Sequence, residues 1–174
     1  MSNKKDASGG KQQLKTKKAV ACVVGIAIVL LAAVLITKGV VGKNNGTAVS
    51  RGGDLIIPKS EVTENVKFYP YDADGTKLEI LAVKASDGTI RTAFNTCQVC
   101  NGSPRAYYKQ EGSVLVCQNC GNRFSMDMVE KERGGCNPIP IMEGDKIDDG
   151  TNIIIAESFI LENKKLFTSN WKTK

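Results

Sequence analysis

Hydrophobic and polar positions divide the chain into stretches of different period. From Ala19 to Ile36 the sequence AVACVVGIAIVLLAAVLI runs eighteen residues without a charge. At 1.5 Å of rise per residue this is about 27 Å of helix, close to the hydrocarbon core of roughly 30 Å. Thr37 extends the run and Lys38 can snorkel to the interface, so a transmembrane helix is predicted over residues 19–37. Residues 38–53 are rich in Gly, Asn and Ser and predict a flexible stalk, with an ordered domain over 54–174. In that domain Val66–Tyr71, Lys77–Lys84 and Ile90–Asn95 alternate as strands. The turns Asp72-Ala73-Asp74-Gly75 and Ser86-Asp87-Gly88 between them predict an antiparallel meander. The first turn resembles half of a calcium loop, but Lys77 and Leu78 stand where further acidic ligands would be needed. Asn152–Ala156 reads as a short buried strand. Glu157–Phe167 reads as a short helix with Phe159, Ile160 and Leu166 inward. The expected fold class is therefore mainly β (α+β): one N-terminal membrane helix, then a small β-rich domain.

Charge sharpens the membrane reading. Of the net +6, residues 1–18 supply six lysines against Asp6, whereas residues 51–174 hold sixteen basic and seventeen acidic side chains. The lysines flank one end of the apolar run, which predicts a cytoplasmic tail over 1–18 and an extracytoplasmic body. The competing reading is a cleaved signal peptide, but its apolar region is shorter, about 7–15 residues. The nearest small-residue cleavage site, Ala48-Val49-Ser50, lies a dozen residues past the run. Cys22 sits at the start of the run, where a small residue in a helix is the plain reading. A neutral body lacks the basic footprint of a nucleic-acid binder. The chain contains no histidine, which excludes a Ser-His-Asp triad, a Cys-His pair, a His-x-Glu deaminase site and covalent haem attachment through Cys-x-x-Cys-His.

Five of the six cysteines follow at 97, 100, 117, 120 and 136. Two Cys-x2-Cys pairs sixteen residues apart are a metal-site signature, because each turn aims two sulfurs and several backbone N–H groups at one point. Gly102 and Gly121 stand just past each pair, where left-handed backbone is often required. The insert, with Tyr107-Tyr108-Lys109 and Val114-Leu115-Val116 about Glu111-Gly112-Ser113, predicts a β-hairpin that brings the knuckles together. Cys97, Cys100, Cys117 and Cys120 are thus the expected metal ligands, with Arg105, Lys109 and Arg123 available to offset thiolate charge. Zinc, a single iron or an iron–sulfur cluster all accept four sulfurs. Structural disulfides are the bland alternative, although bridging within Cys-x2-Cys closes only a tiny loop. Cys136, in Gly134-Gly135-Cys136-Asn137-Pro138-Ile139-Pro140-Ile141, is a free buried thiol, a fifth ligand, a substrate-facing thiolate or a redox partner. A thioredoxin-like helix after the first motif is broken by Asn101-Gly102-Ser103-Pro104.

The stretches Ala93-Phe94-Asn95-Thr96-Cys97-Gln98-Val99-Cys100, Ala106-Tyr107-Tyr108, Val116-Cys117-Gln118-Asn119-Cys120-Gly121 and Gly134-Gly135-Cys136-Asn137-Pro138-Ile139-Pro140 resemble the FtrD-like family of membrane iron–sulfur proteins. The resemblance spans about residues 64–167. It implies that Cys97, Cys100, Cys117, Cys120 and Cys136 serve iron or an iron–sulfur cluster. It also implies a redox or metal-handling place in a bacterial iron-uptake system, with a membrane iron permease or transporter as partner. Larger members carry several membrane helices where one is predicted here. Against this stands a zinc-stapled, membrane-tethered interaction domain without redox activity. An electron-transfer or metal-binding component is expected rather than a stand-alone enzyme.

Overall fold

The computed structural model describes residues 49–173. The lysine-rich tail, the 19–37 span and the stalk up to residue 48 lie outside the described residues. Among the described residues no helix is long and apolar enough to cross a membrane.

The predicted meander is present as Lys67–Ala73 (β3), Thr76–Lys84 (β4) and Ile90–Cys97 (β5). Ala73 pairs with Thr76 around Asp74 and Gly75, whose φ values of 51° and 82° make a two-residue turn of the twist that antiparallel strands favour. Asp72 accepts the Gly75 N–H at 2.7 Å and Lys164 reaches Asp74 at 3.2 Å, so this acidic turn is satisfied internally. The meander is the centre of a five-stranded sheet in the order β1-β3-β4-β5-β9, where β1 is Ser50–Arg51 and β9 is Pro138–Ile141. The ordered body therefore begins before Asp54. Ser50 and Arg51 pair in parallel with Tyr71 and Asp72, and the Tyr71 hydroxyl donates to the Gly53 carbonyl at 2.6 Å. Backbone pairing holds this segment, and it leaves no mark in the alternation of apolar residues.

Strand β4 is buried on both faces, because a second layer covers each side of the sheet. Leu78, Ile80 and Ala82 point into one core with Tyr71, Phe94, Ile141 and Ile160. Leu81 and Val83 point into another with Ala93, Cys97, Tyr108, Leu115 and Phe124. Fully burying each of these large aliphatic side chains contributes about 1.5–3 kcal/mol.

The first core is closed by a three-stranded sheet, β10 (Ile147–Asp148), β11 (Asn152–Ile155) and β2 (Leu55–Pro58), and by helix α1 (Glu157–Asn163). Ile160 is the fully buried helix residue, with Phe159 and Leu166 half-buried at the margin. The helix has no side-chain cap of its own at Ala156. Asp54 accepts the Glu157 N–H at 3.0 Å instead, satisfying one of the otherwise orphaned first-turn donors. Phe94, Phe159, Phe167 and Trp171 interlock at centroid separations of 5.1–6.0 Å.

The second core is closed by a smaller sheet in the order β6-β7-β8: Tyr108–Glu111, Val114–Cys117 and Arg123–Ser125. The predicted hairpin is β6–β7, closed by the Glu111–Val114 pair around Gly112-Ser113. The third strand, only three residues long, was too short to show a period. After it, the segment to Glu130 is fastened to the main sheet by polar contacts. Arg91, 5% exposed, donates to the Asp127 carbonyl and pairs with Asp87. Glu130 accepts the Thr92 N–H at 2.9 Å and pairs with Lys146, both side chains being largely buried. Glu130 adopts φ 68°, a left-handed conformation that non-glycine residues rarely take.

Candidate metal centre

The four ligands expected from spacing converge. The sulfurs of Cys97, Cys100, Cys117 and Cys120 all lie within 4.8 Å of one another. Cys97 ends β5 and Cys117 ends β7. Cys97 donates its N–H to Ala106 at 3.2 Å and Gln118 donates to Tyr107 at 2.8 Å, which sets one knuckle beside the other. All five cysteines among the described residues are free thiols, so the structure holds none of the disulfides of the bland reading. Turns follow Cys97 where a thioredoxin-like protein would start a helix.

Each knuckle aims backbone donors at its first sulfur. Cys97 receives the N–H groups of Val99 and Cys100, and Cys117 those of Asn119 and Cys120. Cys120 receives the N–H of Asn122, beyond Gly121 at φ 76°. Gly102 does not adopt the left-handed backbone expected of it. The Asn119 side chain takes over from the other knuckle and hydrogen-bonds Cys100. Its orientation is set by Ser103, whose hydroxyl donates to Asn119 Oδ1 at 2.7 Å and leaves the NH2 group for sulfur.

These contacts, with Tyr108, replace the basic side chains expected from sequence. Arg123 is spent on Glu111 at 3.0 Å, and neither Arg105 nor Lys109 is among the largest influences on the thiols. Burial opposes ionisation of Cys97, but hydrogen bonds from two N–H groups and from the Tyr108 hydroxyl, whose one proton is shared with the Cys136 carbonyl, outweigh it and hold this thiol below its ordinary range. The Asn122 N–H, against weaker desolvation, holds Cys120 down at about 7. Burial pushes Cys117 up to about 12 and Cys100 up as well. Neighbouring thiols cannot all ionise without a cation, and a metal ion supplies that cation.

Cys136 reaches the same place by a separate route. Its thiol is in hydrogen-bond contact with the sulfurs of Cys120 and Cys97, yet it stands outside the set of four that are mutually close. Its carbonyl accepts from the Tyr108 hydroxyl at 2.7 Å and from Asn122 Nδ2 at 2.9 Å. Tyr108, Asn119, Asn122 and Gln98 were not among the expected site residues. The only signal for them was their place inside or beside the cysteine motifs.

The donor set fits a metal. One ion bonded to four sulfurs at about 2.3 Å sets them about 3.8 Å apart, within the observed limit. The fold and site together define a β-rich protein with a four-cysteine cluster carried between two cysteine knuckles. The chain belongs to the family described as membrane iron–sulfur containing protein, FtrD-like, whose model matches residues 62–167. Neither the curated proteins nor the solved structures contain a match.

Proposed function

We propose that this protein is a membrane-anchored, extracytoplasmic iron-binding component of an iron-uptake system, holding iron on Cys97, Cys100, Cys117 and Cys120 with Cys136 against them. The observation that carries this reading is the convergence of four sulfurs to within 4.8 Å in a chain of an iron–sulfur family. Iron held by four thiolates supplies a one-electron couple, whose potential depends on hydrogen bonds to sulfur and on burial. This chain's part is to set both. The N–H groups of residues 99, 100, 119, 120 and 122, with the Asn119 amide and Tyr108 hydroxyl, stabilise thiolate charge. Cys97 and Cys117 are shut from solvent, whereas Cys120 is exposed and gives the centre one open side. The apolar run at 19–36 and its lysine flank support a single membrane pass with the N-terminus inside. On that topology the domain shares its membrane with an iron permease or transporter, the class of partner this reading calls for.

The test is anaerobic purification of the full chain in detergent, followed by metal analysis and visible absorption. The expected result is about one iron per chain and charge-transfer bands that bleach on reduction. Stoichiometric zinc in a colourless, electrochemically silent sample would replace this reading with the zinc-stapled interaction domain.

A further inference from the structure

The loop that carries Cys136 is built to a degree that a bystander thiol does not need. Gly134 and Gly135 both adopt left-handed backbone, at φ 94° and 69°. A side chain at either would be strained, and together they turn the chain back toward the first knuckle. Gln98, between Cys97 and Cys100, clamps the loop from both ends of its own residue. Its N–H donates to Asn137 at 2.9 Å and its Oε1 accepts from Gly134 at 2.8 Å. The Asn137 side chain closes the loop on the Gly134 carbonyl. Two donors from the small sheet, Tyr108 and Asn122, then fix the Cys136 carbonyl. The fifth sulfur is thereby held against Cys120 and Cys97, outside the set of four. Of those two neighbours Cys97 is fully buried and Cys120 is exposed.

We infer that Cys120 and Cys136 form an oxidation-sensitive pair that opens the metal centre, a reading that rests on metal binding by the four knuckle thiolates. With four sulfurs engaged, Cys136 is the free thiol of the cluster, and Cys120 is the ligand that a dissolved oxidant meets first. The oxidant class is a hydroperoxide. Cys120 sulfur attacks a peroxide oxygen and the O–O bond breaks. With one proton from solvent this leaves Cys120 sulfenic acid and one water from hydrogen peroxide, or one alcohol from an organic hydroperoxide. The Cys136 thiol then attacks the sulfenic sulfur, forming the S–S bond and expelling water. The two sulfurs have lost two electrons and the peroxide has gained them. The metal is left with three protein sulfurs, and a dithiol reductant reverses the change.

Hydrogen peroxide added to the full chain in detergent, loaded with zinc so that the metal takes no part in redox chemistry, tests this. Released zinc is read with a chromophoric chelator and disulfides are mapped by mass spectrometry without reduction. The expected result is zinc release in step with a Cys120–Cys136 cross-link, reversed by dithiothreitol and added zinc. Cys136→Ser should start with the same zinc content and release it roughly ten-fold more slowly, because the sulfenic acid finds no resolving thiol. Release from Cys136→Ser at the wild-type rate would overturn the inference, as would a Cys117–Cys120 cross-link in the wild-type protein. The wild-type map decides this even if the variant folds poorly. A chain that takes up no zinc before peroxide is added would overturn the four-thiolate reading, and this inference with it.

Discussion

The two faces of the central sheet are held by different physics. One face packs against β10-β11-β2 and α1 through sixteen buried residues that include Phe94, Phe167 and Trp171. The other packs against β6-β7-β8 through ten buried residues among those described, of which two, Cys97 and Cys117, belong to the four-cysteine cluster. Strands of three and four residues carry too little apolar surface to stand alone, and small modules of this kind need a staple. A chain with 6% aromatic residues thus concentrates its large side chains on one face and leaves a cysteine cluster to finish the other. The same β4 serves both, so loss of one face should loosen the other only partially.

Several perturbations separate the two faces. Cys117→Ser should have the largest effect, abolishing stoichiometric metal and exposing β6–β8 to hydrogen exchange, because metal binding is folding free energy here. Amides of β3 and β4 should remain protected, and global exchange instead would dissolve the distinction. Acid should act like that substitution but reversibly. Cys120 sits at about 7, so protons compete for its sulfur as pH falls below neutral, and they compete for the upward-shifted Cys117 throughout. Metal affinity should therefore fall with falling pH, as read by chelator competition between pH 8 and pH 5. Glu130→Ala should cost about 3–5 kcal/mol in chemical denaturation, since it leaves Lys146 buried without its partner. Asn119→Ala should weaken metal binding roughly 10–100-fold without altering the chemical-denaturation midpoint of the metal-free chain. The smallest effect is expected from Ile80→Val, about 0.5–1.5 kcal/mol of stability with metal content unchanged.

The sequence reveals the parts of this molecule that repeat a local rule. The Asp-Gly turns, the β3–β5 alternation, the β6–β7 hairpin and the four-cysteine convergence each follow from residues close together in the chain. What escapes it depends on distant partners. Strand β1 is made by backbone pairing with Tyr71 and Asp72, and β9 by pairing with β5 across the whole cysteine segment. Asn119 is a donor to Cys100 only because Ser103, on the other knuckle, turns its amide. Charge misled in the same way: Arg123 is near the knuckles in sequence, but Glu111, two strands away across the small sheet, claims it.

The Gly/Pro-shaped segment after Cys136 has one more consequence, for encounters between molecules. As β9 it forms an outer strand of the five-stranded sheet, with Pro138 opposite Cys97 and Pro140 opposite Ala93. Isoleucines occupy the alternate positions and join the ladder, while the proline nitrogens have no hydrogen to offer. The far edge is β1, only two residues long. The β9 border presents no run of free N–H groups on which a strand of another molecule could add, and this edge is protected from edge-to-edge aggregation.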